Sequence, residues 1–154
     1  MKFLKRTLAV TALALASTSA MADWNLGTSY SHLSNGDPSL AAVTVNAGYT
    51  FDDNHSNWSV MPELRVGTGV KNYRGFEIDR YMVVATRVDY QANDVASFFV
   101  QPAYANIKSD GHNEWEFGMG VGSSFQLSND WELEVMYENF DSTDVVTLGA
   151  RFNF

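Results

Sequence analysis

The sequence predicts an all-β fold, an eight-stranded antiparallel transmembrane β-barrel, preceded by an export segment. Three observations carry that expectation. Apolar and polar residues alternate with period two through eight successive stretches, as they do in strands with one apolar face. The chain opens on a basic cluster followed by a short apolar run. It closes on TLGARFNF, where Leu148, Ala150, Phe152 and Phe154 share one face and Thr147, Gly149, Arg151 and Asn153 the other.

The opening segment is MKFLKRTLAVTALALASTSAMADW. Lys2, Lys5 and Arg6 form a basic region, Leu8 to Ala16 an apolar run, and Ala20-Met21-Ala22 a small-x-small cleavage site. This is the pattern of a secretory signal peptide cut after Ala22. The apolar run is well short of the ~20 residues a spanning helix needs. The expected organisation is therefore a signal peptide over residues 1–22 and one barrel domain over 23–154. Without the three basic residues of the signal, seven Lys and Arg face 18 Asp and Glu, a net charge of −11. That balance disfavours nucleic acid as a partner. The absence of cysteine removes disulfide and thiol chemistry.

The alternation begins with Trp24, Leu26, Thr28, Tyr30 and His32 against Asn25, Gly27, Ser29 and Ser31. Val43, Val45, Ala47, Tyr49 and Phe51 follow, against Thr44, Asn46, Gly48 and Thr50. Next come Trp58, Val60, Pro62, Leu64, Val66 and Val70, opposed by Glu63, Arg65, Gly67 and Gly69. Met82 to Tyr90 opposes Arg87 and Asp89, and Phe98 to Tyr104 opposes Gln101 and Ala103. Trp115 to Leu127 sets large apolar residues against Glu116, Gly118, Gly120 and Gly122. Trp131 to Tyr137 sets them against Glu132, Glu134 and Glu138, and TLGARFNF is the eighth stretch. Pro62 and Pro102 fall inside strands that have no free edge, so a β-bulge is expected beside each.

A soluble sandwich also explains alternation, but its polar faces would be charged and solvated. Here they are rich in Gly, Ser, Ala and Asn, which suits a crowded lumen. Aromatic residues stand near the strand ends, where a membrane girdle belongs. With both termini in the periplasm, SNGDPSL, KNYRGFEID, KSDGHN and DSTD face outward. Lys71, Arg74, Arg80 and Lys108 then all sit at the outward end, and the periplasmic turns hold no Lys or Arg. That sorting suits a surface facing lipopolysaccharide, because Lys and Arg bind phosphate groups. The expected location is a bacterial outer membrane.

NEWEFGMGVGSSFQLSNDWELEVMYENFD, followed by TLGARFNF, resembles the last three strands of the OmpA-like outer-membrane β-barrel (porin-like) family. MPELRVGTG and FVQPAYANI resemble its middle strands. The resemblance implies that the terminal aromatic strand is read by the barrel-assembly machinery, with Thr147, Gly149, Phe152 and Phe154 matching that signal. A C-terminal periplasmic domain, and with it peptidoglycan binding, is not implied.

A barrel of eight strands is just wide enough for its own side chains to fill. Glu63, Arg65, Arg87, Asp89, Glu116, Glu134, Glu138 and Arg151 all take lumen parity and must pair in a confined space. Depth along the strands places Glu63 near Arg87, Arg151 near Glu134, and Arg65 within reach of Glu138 or Glu116. The resulting expectation is an envelope protein whose lumen is plugged by a charge network. The alternative is a narrow cation-preferring pore, since acids outnumber arginines there. A third reading is enzymatic. His32-x-Ser34-Asn35-Gly36 is similar to the His-x-Ser-Asn element of the lipid A deacylase family, with Asp144 on the adjoining strand as a partner for the imidazole. The motif stands on the first strand rather than late in the chain, which counts against it. His55 and His112 lie in turns without metal-ligand spacing, so no metal is expected. No nucleotide fingerprint is present and no cofactor is expected.

Overall fold

The computed structural model describes residues 24–34, 39–52, 56–71, 78–109, 112–141 and 143–154. The expected signal peptide and Arg74, His55, Asn35 and Gly36 lie outside these residues. The strands are β1 (Trp24–Ser34), β2 (Ser39–Tyr49), β3 (Phe51–Asp52), β4 (Trp58–Lys71), β5 (Ile78–Gln91), β6 (Ala96–Ser109), β7 (His112–Gln126), β8 (Trp131–Phe140) and β9 (Thr143–Asn153). β3 is a two-residue continuation of β2 on the same neighbour, β4. Eight staves therefore form the wall, and every pairing is antiparallel. β1 pairs with β9 from Asn25↔Asn153 to Ser34↔Asp144, and β2 pairs with β4, so the sheet closes on itself.

The period-two pattern sets which side of the wall each residue occupies. Val43, Val45, Leu64, Val84, Val100, Met119, Val121, Val135 and Leu148 all stand exposed on the outer surface. Arg65, Tyr81, Gln101, Glu138, Asn46 and Thr147 are among the most deeply buried side chains. A water-soluble protein reverses this arrangement, and a barrel in lipid requires it. At the periplasmic end the aromatics meet edge to face: Trp24 with Tyr49, Tyr49 with Phe51, Trp131 with Phe152, and Phe152 with Phe154. Trp58 and Tyr90, tilted against each other at 4.9 Å, add a third group. Phe154 N–H donates to the Trp24 carbonyl at 3.0 Å, so the last residue is tied to the first strand.

The bulges expected at the prolines are absent. Pro62 pairs with Thr86 and Pro102 with Met119 in unbroken register. The missing N–H instead removes rungs on one side only. The β2–β4 ladder stops at Gly48↔Glu63 and resumes in the same register at Phe51↔Val60, which is why β3 separates from β2. The β5–β6 ladder skips likewise from Ala85↔Ala103 to Val88↔Val100. The true irregularities lie at the outward end, between Ala41 and Ala42 and between Ile78 and Arg80. Strands also run further outward than the apolar pattern does. Ser39, Arg80, Lys108, His112 and Asp144 are strand residues rather than loop residues, because ladder hydrogen bonds continue above the lipid-facing rows.

Candidate functional site

The lumen is layered. Its outward part is apolar: Leu33, Ala42, Ile78, Tyr81, Val83, Ala85, Ala103, Ala105, Phe140 and Val145 pack together, with Leu40 and Ile107 against them. The middle is ionic. The periplasmic part is an open polar cavity of about 310 Å³, bordered by Asp52, Ser59, Asp89, Gln126, Glu132 and Asn153, with Arg87 and Arg151 also on its wall.

The ionic layer grows from inward positions on β4, β5, β8 and β9. Arg65 on β4 meets Glu138 on β8 in a bidentate pair, with Nη1 donating to Oε2 at 2.8 Å and Nη2 to Oε1. Its Nε lies 3.1 Å from Glu63 Oε1, an ion-pair distance without hydrogen-bond alignment. Arg151 on β9 donates to Glu63 at 2.5 Å, to Glu134 at 2.9 Å and to Asn25 Oδ1 at 2.7 Å. Arg87 on β5 donates to Glu134 at 2.6 Å, Asp89 at 2.7 Å and Glu132 at 3.2 Å. The Arg87 guanidinium also lies 3.6 Å over the Phe99 ring, a cation–π contact. Shared carboxylates join the three arginines in one chain of contacts, since Glu63 touches Arg65 and Arg151, and Glu134 touches Arg151 and Arg87.

The glycines of the inward faces make room for these side chains. A Cβ on Gly120 would stand 2.8 Å from Glu138 Cγ, and one on Gly149 2.8 Å from Glu134 Oε1. On Gly118 and Gly122 it would run into the rings of Phe140 and Phe99.

Depth along the strands misassigned one partner: Glu63 bonds Arg151 and approaches Arg65, not Arg87. Arg65 takes Glu138 rather than Glu116, which stands further outward on β7 opposite Ala105. Reach across the lumen decides these pairs, and depth along one strand does not report it. Glu132, Asn25 and Phe99 also belong to the layer and were not singled out from sequence. Inward parity on β8 was the available signal for Glu132. The outer apolar layer was missed because Ala and Val at lumen parity read as small filler.

Thr147 and Gly149 face the lumen, where Thr147 hydrogen-bonds Ser31 at 2.8 Å, while Phe152 and Phe154 belong to the outer aromatic girdle. Arg80 and Lys108 stand exposed on the outer face, directly opposite each other on β5 and β6. Lys71 ends β4. His32 and Ser34 share the outer face of β1, and Ser34 is paired in register with Asp144. The Asp144 carboxylate is instead taken by Tyr137 Oη at 2.6 Å and Asn139 Nδ2 at 2.8 Å. Among the described residues no hydrogen bond links His32 to Ser34 or Asp144, so the charge-relay geometry is not assembled.

No protein-family model matches the chain, and no curated protein matches it. Solved structures do. The N-terminal β-barrel domain of Pseudomonas aeruginosa OprF aligns at a TM-score of 0.62 and 12% identity, covering 84% of this chain and 97% of that one. Neisserial surface protein A aligns at 0.54 and 14%, covering 85% and 97%. The attachment invasion locus protein Ail of Yersinia pestis aligns at 0.53 and 18%, covering 86% and 97%. At these identities the likeness is one of fold. Taken with the inverted surface and the closed ladder, it makes this chain an eight-stranded transmembrane β-barrel of the bacterial outer-membrane type.

Proposed function

We propose that the protein is a structural component of the outer envelope whose barrel is sealed from within. The observation that carries this reading is the succession of two closures along one axis. The Arg65–Glu138 pair is 1% and 0% exposed, and beyond it the lumen is packed with apolar side chains. A permeant ion would have to part a buried, bidentate ion pair and then cross an apolar layer, and each step is expensive. The rival cation-preferring pore rests on a surplus of acids, with Glu63, Asp89, Glu132, Glu134 and Glu138 set against three arginines in the network. All five are already engaged by guanidinium groups. Planar-bilayer recording of the refolded protein tests the reading. Seal-level current is expected, and reproducible conductance steps with cation selectivity would replace the plug by the pore.

The outward cations Arg80 and Lys108 face the lipopolysaccharide leaflet in this reading. The closing strand serves the barrel-assembly machinery as its insertion signal, through Phe152 and Phe154. No catalytic role is assigned.

A further inference from the structure

On the outer face of β5, β6 and β7, two cations stand directly opposite each other, Arg80 and Lys108. Like charges at paired positions of antiparallel strands repel. Among the described residues neither is in ion-pair contact with a carboxylate. Both are exposed. The arrangement beneath them is built. Asn106 points to the same outer face yet is only 2% exposed. Its Oδ1 accepts from Arg80 Nη2 at 2.9 Å, while its Nδ2 donates to Asn113 Oδ1 and to the Glu114 carbonyl, each at 3.1 Å. Both amide hydrogens are thus used, and the amide oxygen holds one edge of the guanidinium while the rest stays exposed beside Lys108. The bulge between Ile78 and Arg80 sets Arg80 opposite Lys108. Two rungs toward the membrane centre, Trp115 pairs with Asn106, and below it the rings of Tyr104 and Phe117 meet edge to face at 5.2 Å. All three aromatics are about half exposed to the lipid side.

From this we propose that Arg80 and Lys108, positioned by Asn106, form a clamp for a phosphate of a phosphorylated glycolipid headgroup in the outer leaflet. The inference rests on the envelope reading above and names the ligand group and the residues that take it. Arg offers a planar fork and Lys a point charge, the two donors phosphate recognition uses. An anion between them turns the like-charge repulsion into shared attraction. The depth selects a lipid source over a soluble one, because the clamp lies immediately above the aromatic tier, where headgroups sit.

The test uses the protein refolded in nanodiscs of phosphatidylcholine containing bisphosphorylated lipid A, its dephosphorylated form, or neither. Native mass spectrometry reads co-retained lipid, and heat-modifiability on gels reports whether each variant is folded. The parent should retain bisphosphorylated lipid A and treat the dephosphorylated form like phosphatidylcholine. Retention should fall about thirtyfold in Arg80→Gln/Lys108→Gln, the effect of two basic residues near an anionic lipid surface. Asn106→Ala keeps both charges, so a several-fold loss there reports positioning, and Arg80→Lys should restore part of what Arg80→Gln loses. Equal retention of both lipid A forms, or an unchanged double variant, overturns the clamp. If inorganic phosphate shifts the Arg80 side-chain resonances in detergent as strongly as lipid A does, the lipid assignment is overturned in favour of a soluble anion. If Arg80→Gln/Lys108→Gln does not fold, raised salt on the parent replaces it, and salt-insensitive retention overturns the proposal. Absence of any heat-modifiable parent band would instead refute the barrel in lipid, which separates the two failures.

Discussion

Replacing Arg65 by Met tests whether the ionic layer is dry. Arg65 and Glu138 are 1% and 0% exposed, and they share two hydrogen bonds. Neither borders the periplasmic cavity. Arg65 is the one guanidinium within ion-pair distance of Glu138 among the described residues, whereas Glu63 keeps Arg151 when Arg65 is lost. Met fills much of the vacated length, so the loss is mainly that of an unpaired buried carboxylate. Breaking such a pair costs ~3–5 kcal/mol. That is roughly two to three and a half orders of magnitude in the folding equilibrium. Arg65→Met/Glu138→Leu removes the orphan as well and should return to within ~1 kcal/mol of the parent, since apolar replacement of a whole buried pair is often neutral. Urea unfolding in lipid vesicles, followed by fluorescence of the four tryptophans, measures all four corners of the cycle. A single-variant loss below ~1 kcal/mol, or a double variant no better than the single, would show water solvating Glu138 and refute the dry layer.

Arg151→Ala should cost less, ~2–3 kcal/mol, because Arg151 borders the open cavity and each carboxylate it leaves keeps another arginine. Adding Glu134→Ala should recover much of that, and bilayer current should stay at seal level in both, with a cation-selective current in Arg151→Ala counting against the plug. Gly122→Ala places a Cβ 2.5 Å from the Val135 carbonyl oxygen and into the Phe99 ring, so the urea midpoint should drop by an overpacking cost of ~1–3 kcal/mol. Deleting Phe154, or changing it to Asp, should leave the chain accumulating in the periplasm, which cell fractionation reads; normal insertion would reduce TLGARFNF to a strand. Parent protein should release no fatty acid from lipid A, and deacylation abolished by both His32→Ala and Ser34→Ala would restore the enzymatic reading.

Strand number, order and facing were legible because the alternation is strict and a one-residue slip would turn every side chain to the wrong side. The Trp131, Phe152 and Phe154 contacts follow from the same parity. Pairing across the lumen was not legible, as Glu63 shows. Neighbouring strands slide past one another in a tilted barrel, so equal distance from a turn is not equal height. The proline bulges failed for a different reason. A missing N–H can be absorbed by losing rungs on one side while the other ladder holds the register, and Pro62 and Pro102 both do this. The built character of the Arg80 site was invisible because Asn106 sits at outward parity, where a sequence reading expects exposure, and is buried by its own hydrogen bonds.

The guanidinium groups do more than neutralise the lumen acids. Arg65 joins β4 to β8, Arg87 joins β5 to β8, and Arg151 joins β9 to β4. None of these strand pairs is adjacent in the sheet order, so the ladder connects them only through intervening strands. Each arginine is therefore a strut across the barrel, and the Gly118, Gly120 and Gly122 face of β7 clears space for the side chains that meet there. The partners are 47 to 88 residues apart in sequence. They come together only when the two ends of the sheet do, so the struts report closure. They also police it. A slip of one residue at the β1–β9 seam would turn Arg151 from Glu63 and Glu134 into the apolar surface, where a charge is costly. An ionic layer of this kind is weak evidence for added stability. Its physical effect is to make one register of the closing strand far better than its neighbours, and that register is the one that carries Phe152 and Phe154 to the girdle.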